Sequence, residues 1–138
     1  MAVFRVAEFE KKGGRQVFKG FKYSGYKLGQ NGRLYHTAKK VNQKDKRRQN
    51  YVELNLSTLQ KDISGKTIFE YDVCRELKRD VLGIIKYYSD KGSFILEVTR
   101  GYIKIPYSIL DTDEIQLKKI TNIYRSKKNE LEKIGKKI

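Results

Sequence analysis

Residues 11–51, KKGGRQVFKGFKYSGYKLGQNGRLYHTAKKVNQKDKRRQNY, interleave cations with aromatic rings. Thirteen Lys and Arg side chains stand there against one acid, Asp45, and Phe18, Phe21, Tyr23, Tyr26, Tyr35 and Tyr51 run among them. Cations neutralise phosphates, and flat rings give unpaired bases a surface to stack on, so the combination points to a groove for single-stranded nucleic acid. The residues expected to carry it are Arg15, Lys19, Lys22, Tyr23, Tyr26, Lys27, Arg33, Tyr35, Lys39, Lys40, Lys46, Arg47 and Arg48. Tyr23, Tyr26 and Tyr35 are the stacking candidates, because a phenol tolerates exposure and each lies close to Lys or Arg. Phe18 or Phe21 is expected in the core.

Residues for other chemistry are sparse. His36 is the sole histidine, which excludes a His-rich metal cluster or a paired-His ribonuclease. Glu8, Glu10 and Asp45 are the acids near the basic stretch in sequence, too few to expect a metal, and no cofactor signature is present. Glu76 and Asp80 interleave with Arg75, Lys78 and Arg79, as surface salt bridges would. Gly29–Gly32 is not a phosphate loop, since no Gly-Lys-Ser/Thr follows. The remaining enzymatic route is a metal-independent, toxin-type ribonuclease working through Tyr35, Lys39, Lys40, Arg47 and Arg48.

A chain of 138 residues predicts one domain, able to bury roughly 68% of its unfolded surface. The net charge of +15 is lopsided: residues 1–50 hold fourteen basic and three acidic side chains, residues 51–138 seventeen and thirteen. A local field of this kind draws polyanions, nucleic acid ahead of membrane. One cysteine, Cys74, excludes an intramolecular disulfide and reads as a small core residue of a reducing, cytoplasmic compartment. The start MAVFRVAEFE lacks a signal-peptide layout, and no apolar run approaches a membrane span.

The elements that must position these residues begin with strands. Near-alternation predicts strands over 2–10 and 15–23, joined at Gly13-Gly14, with Gly20 and Gly25 placed for a bend or bulge. Gly29-Gln30-Asn31-Gly32 is a turn before a third strand over 33–41, and 42–50 reads as an exposed, mobile loop. A half-buried strand follows over 51–56, then a helical turn from Ser57 to Ser64-Gly65. Phe69, Val73, Leu77, Val81, Ile84, Ile85 and Tyr88 share a helical face, predicting an amphipathic helix from Asp72 to Tyr88, while the alternation of Thr67, Phe69, Tyr71 and Val73 leaves strand as the alternative for its start. Residues 93–110 read as a β-hairpin whose second strand, holding Pro106, lies at a sheet edge. A C-terminal helix is expected over 113–138, where Leu117, Ile120, Tyr124, Leu131, Ile134 and Ile138 keep heptad-like spacing suited to a homodimer seam.

The fold class is therefore α+β: a curved antiparallel sheet with one packed amphipathic helix and a C-terminal helix. This order resembles that of the OB-fold, and equally that of PC4/Whirly-type single-strand binders, both of which hold their ligand on a sheet. The chain ends in LEKIGKKI, without the acidic tail of bacterial single-strand binding proteins, so recruitment of repair partners is not expected. The function expected is non-enzymatic binding of single-stranded DNA or RNA, in a phage or mobile element. The alternative is an anti-defence inhibitor, anti-CRISPR-like, whose basic face docks on a host nucleoprotein. No membrane partner is expected.

Overall fold

A computed structural model describes residues 3–99, 101–105 and 115–126. Its contacts gather into two compact units, Ala2–Leu56 and Ser57–Ile138 with Met1, which are taken in turn.

The first unit is built on β1 (Phe4–Lys12), β2 (Arg15–Lys22) and the first half of β5 (Val52–Lys61), antiparallel with β1 in the middle. Gly13 and Gly14 both sit at positive φ (57° and 78°), the two-residue turn whose twist matches the strands it joins. Glu8 pairs with Gly20 but Phe9 pairs with Phe18, leaving Lys19 as the extra residue of a β-bulge. The bulge cancels the simple alternation read from the sequence. Phe18 and Phe21 come side by side, 5.0 Å between ring centroids, and Phe9 packs on Phe18 at 5.8 Å. A hairpin of β3 (Tyr26–Leu28) and β4 (Leu34–His36) turns at Gly29–Gly32, where Gly32 N donates to Gly29 O. Val6, Tyr26, Leu34 and Val52 form its core with Phe4, Val41 and Leu54.

The second unit takes the rest of β5 with β6 (Thr67–Phe69), then β7 (Asp72–Glu76), β8 (Val81–Tyr88), β9 (Ser93–Val98), β10 (Gly101–Lys104) and β11 (Leu117–Asn122). The last five form an antiparallel sheet in the order β10-β9-β8-β7-β11, placing β10 at an edge as expected. Cys74, Ile85, Leu96 and Leu117 are among its buried core, so Cys74 is the core residue the sequence suggests.

Among the described residues there is no α-helix, only one 3-10 turn at Ser89–Lys91. The helical turn expected from Ser57 is the continuation of β5. The helix expected from Asp72 is instead the hairpin of β7 and β8. What turns the chain there is Glu76, fully buried, whose carboxylate accepts from Lys78 N, Arg79 N and Gln116 N and pairs with Arg79 Nη1 at 3.0 Å. Glu76 is therefore a structural hub and not a surface acid. Burial raises its pKa, but those donors outweigh the effect and hold it below the usual carboxylate range. Gly83 explains the next strand: a Cβ there would lie 2.5 Å from Leu96 Cγ and 2.7 Å from Glu97 O. The C-terminal helix is corrected at residues 117–122, where β11 pairs with β7. Of the expected dimer seam, Leu117 and Ile120 lie on this strand and Tyr124 in the turn after it, not on a helix face, while Leu131, Ile134 and Ile138 lie outside the described residues, as does Pro106.

Candidate nucleic-acid interface

The hairpin of β3 and β4 sorts its residues by strand alternation. Tyr26 and Leu34 point into the core, so Lys27 and Tyr35, directly opposite one another, point out. Tyr35 is 51% exposed, its ring resting over the turn at Gly29 and its hydroxyl accepting from Asn31 Nδ2 at 3.3 Å. An exposed ring beside a cation is the arrangement that base stacking requires.

Tyr26 is a correction. Expected to stack, it is buried, with its hydroxyl donating to Glu8 Oε2 at 2.5 Å and its ring edge-on to His36 at 4.8 Å. Burial first, then the bond to the Glu8 carboxylate, push its pKa well above the usual phenol value. Tyr23 is exposed as expected.

The third strand expected over 33–41 is confined to Leu34–His36, and the loop expected over 42–50 is held by hydrogen bonds along its length. Ala38 N donates to His36 Nδ1 at 3.0 Å, so the lone histidine anchors the start of the loop. Asn42 Nδ2 donates to Asp45 O, and Asp45 Oδ1 accepts from Arg47 N at 2.9 Å. Gln16 Nε2, on β2, bonds Lys46 O and Arg48 O at 2.5 and 2.8 Å. The loop is thereby fastened to the sheet. Between it and β4 opens a cleft of about 340 Å³, bordered by Arg33, Tyr35, His36, Lys39, Lys40 and Lys44 without one acidic residue.

A second cleft, about 240 Å³, is lined by Glu8, Lys19, Lys39, Gln49, Asn50 and Tyr51 among others. Lys39 borders both. Of the thirteen expected residues, Arg33, Tyr35, Lys39 and Lys40 come together at the first cleft, and Lys19 and Lys39 at the second. Arg15, Lys22, Tyr23, Lys27, Lys46, Arg47 and Arg48 are exposed but line neither. Lys44 is added by the structure. Its neighbour Asp45 in an apolar-free run is the only hint in the sequence of a folded turn there.

The acids of this unit are all engaged. Glu10 pairs with Lys12 at 3.1 Å, Asp45 with Arg47 at 3.1 Å and Arg48 at 3.6 Å, and Glu53 accepts from the Tyr51 hydroxyl at 2.7 Å. Hydrogen bonds from Arg47 hold Asp45 below its usual range, and Asp45 in turn raises Arg47. Glu8 meets Lys39 at 3.6 Å. Burial raises Glu8, but the Tyr26 hydroxyl and the charges of Lys39, Lys22 and Lys19 outweigh it, leaving it ionised below the usual carboxylate range. Arg15, Lys19, Lys22, Lys27, Arg33, Lys40, Lys44 and Lys46 make no ion pair among the described residues.

Among the described residues no group of three or more His, Cys, Asp and Glu is placed to hold a metal. Nor is any helix there long and apolar enough to cross a membrane. No family model, no curated protein and no solved structure matches this chain.

Proposed function

We propose that the unit Ala2–Leu56 binds single-stranded nucleic acid without chemical turnover, phosphates lying along the acid-free cleft and an unpaired base stacking on Tyr35. The observation that carries this reading is the cleft itself. Four cations, Arg33, Lys39, Lys40 and Lys44, border one concavity of about 340 Å³ beside an exposed tyrosine. Cations supply affinity for any phosphate chain, whereas the open ring favours a strand whose bases are unpaired. The bulged antiparallel sheet beneath is the kind of scaffold on which OB-fold and PC4/Whirly-type proteins hold single strands, and it lends the reading support.

Filter binding to single- and double-stranded DNA and RNA, each at two salt concentrations, tests it. Single strands should bind more tightly than duplexes of the same length, and affinity should fall as salt rises. Affinity that stays unchanged with salt, or equal affinity for duplex and single strand, would overturn the reading.

A further inference from the structure

The smaller cleft has a feature that a plain phosphate groove lacks. Glu8 is 92% buried by side chain, and its two oxygens are treated differently. Oε2 takes both the Tyr26 hydroxyl at 2.5 Å and Lys39 Nζ at 3.6 Å. Oε1 accepts no hydrogen bond from the described residues, and the carboxylate lines the cleft. Oε1 is not among the fully buried side-chain atoms left without a partner, so it is open to the cleft, an acceptor for whatever enters.

The surroundings narrow what that is. An anion is repelled by the carboxylate itself. A cation would sit among Lys11, Lys19 and Lys39, which line the cleft, with Lys22 also acting on Glu8; the second acid of the lining, Glu10, is already paired with Lys12. What remains is a neutral N–H donor on a group that carries a negative charge elsewhere, for Lys19 and Lys39 to meet. A nucleotide has that make-up. At about 240 Å³ the cleft is smaller than the roughly 300–1,000 Å³ of pockets for drug-sized ligands, and suits one planar base.

Resting on the nucleic-acid reading above, we infer that Glu8 Oε1 is a base-reading acceptor, making the Glu8–Lys39 cleft select amino-bearing bases over thymine and uracil. Cytosine N4, adenine N6 and guanine N2 each offer an amino N–H, and a carboxylate accepting from cytosine N4 is an established way to read that base. Thymine and uracil offer one imino N–H flanked on both sides by carbonyl oxygens, which a carboxylate repels. Lys39 borders both clefts, so a base held at Glu8 leaves its phosphate on the path to Arg33 and Lys40.

The test compares oligo-dC with oligo-dT of equal length, on the wild-type chain and on Glu8→Gln. In the variant the amide oxygen keeps the Tyr26 hydroxyl, so its NH2 turns into the cleft and replaces an acceptor by a donor. Wild type should bind oligo-dC about tenfold more tightly, as a hydrogen bond to a charged group implies. Glu8→Gln should abolish or reverse that ratio, a change that loss of a merely structural carboxylate would not produce. Equal wild-type affinity for the two oligomers overturns the inference and needs no variant; so does a ratio that Glu8→Gln leaves unchanged. In both cases the nucleic-acid reading survives. Binding to neither oligomer removes that reading, and the inference with it.

Discussion

Arg33 and Lys40 border the larger cleft, are exposed and make no ion pair among the described residues, so their charge is free for a ligand. Replacing both by Gln should leave the fold intact, within about 0.5 kcal/mol, because neither side chain supports packing. The effect on binding follows from counterion release. Single strands lose about 0.7 in the slope of log K against log salt for each phosphate neutralised. Arg33, Lys40 and Lys44 together supply about −2.1, so raising salt from about 50 to about 200 mM should weaken wild-type binding about twentyfold through these three alone. The double variant keeps about −0.7 of that, and the same change should cost it only about threefold. Fluorescence anisotropy on a labelled single strand across a salt series reads both slopes. A double variant that melts like wild type yet keeps the wild-type slope would refute the reasoning, since these cations would then touch no phosphate.

Tyr35→Ala should weaken single-strand binding by about 1–3 kcal/mol with little change in salt slope, measured in the same titration, because it removes a ring and no charge. Gly83→Ala should lower stability by about 1–3 kcal/mol in urea unfolding, since the new methyl meets Leu96 and the Glu97 carbonyl at the centre of the second sheet. Acid should destabilise the chain: Glu8, Glu76 and Asp62, a buried acid after β5 that accepts from Ser64 N, Lys66 N and Lys119 N, all have folded pKa values below their ordinary 4.5, 4.5 and 3.8. Their contribution is complete above those ordinary values and is lost as pH falls through the depressed ones, so melting temperature followed downward from about pH 5 should drop. Glu76→Gln should flatten that drop and lower the melting temperature at neutral pH.

Sequence reasoning located the charge because net charge is a local count. The first fifty residues hold +11 whatever their fold, and a run such as Asn42–Asn50 without one apolar residue must stay near the surface. The turn at Gly13-Gly14 was legible for a similar reason, since few residue pairs accept positive φ, and at Gly29–Gly32 it is Gly32 alone that takes it. Periodicity failed between Asp72 and Tyr88. Val73, Leu77, Val81 and Ile84 satisfy helical spacing, yet the hairpin places Val73 on one strand, Val81 and Ile84 on the other, and Leu77 exposed in the four-residue turn between them. The choice was made by Glu76 gathering the turn amides and Gln116 N, forty residues away, and by β9 and β11 pairing on either side. Tyr26 failed for a related reason. Alternation says that Tyr26 and Lys27 face opposite ways, but which one is inside depends on the hairpin packing its Tyr26 face against Val6 and Val52. The same packing brings Glu8 under Tyr26 and beside Lys39, across thirty-one residues of chain, and so makes a scattered acid part of a cleft. Composition could announce a strongly basic N-terminal half. Burial, ion pairing and the partner of each oxygen are properties of residues distant in sequence, and tertiary structure alone decided them.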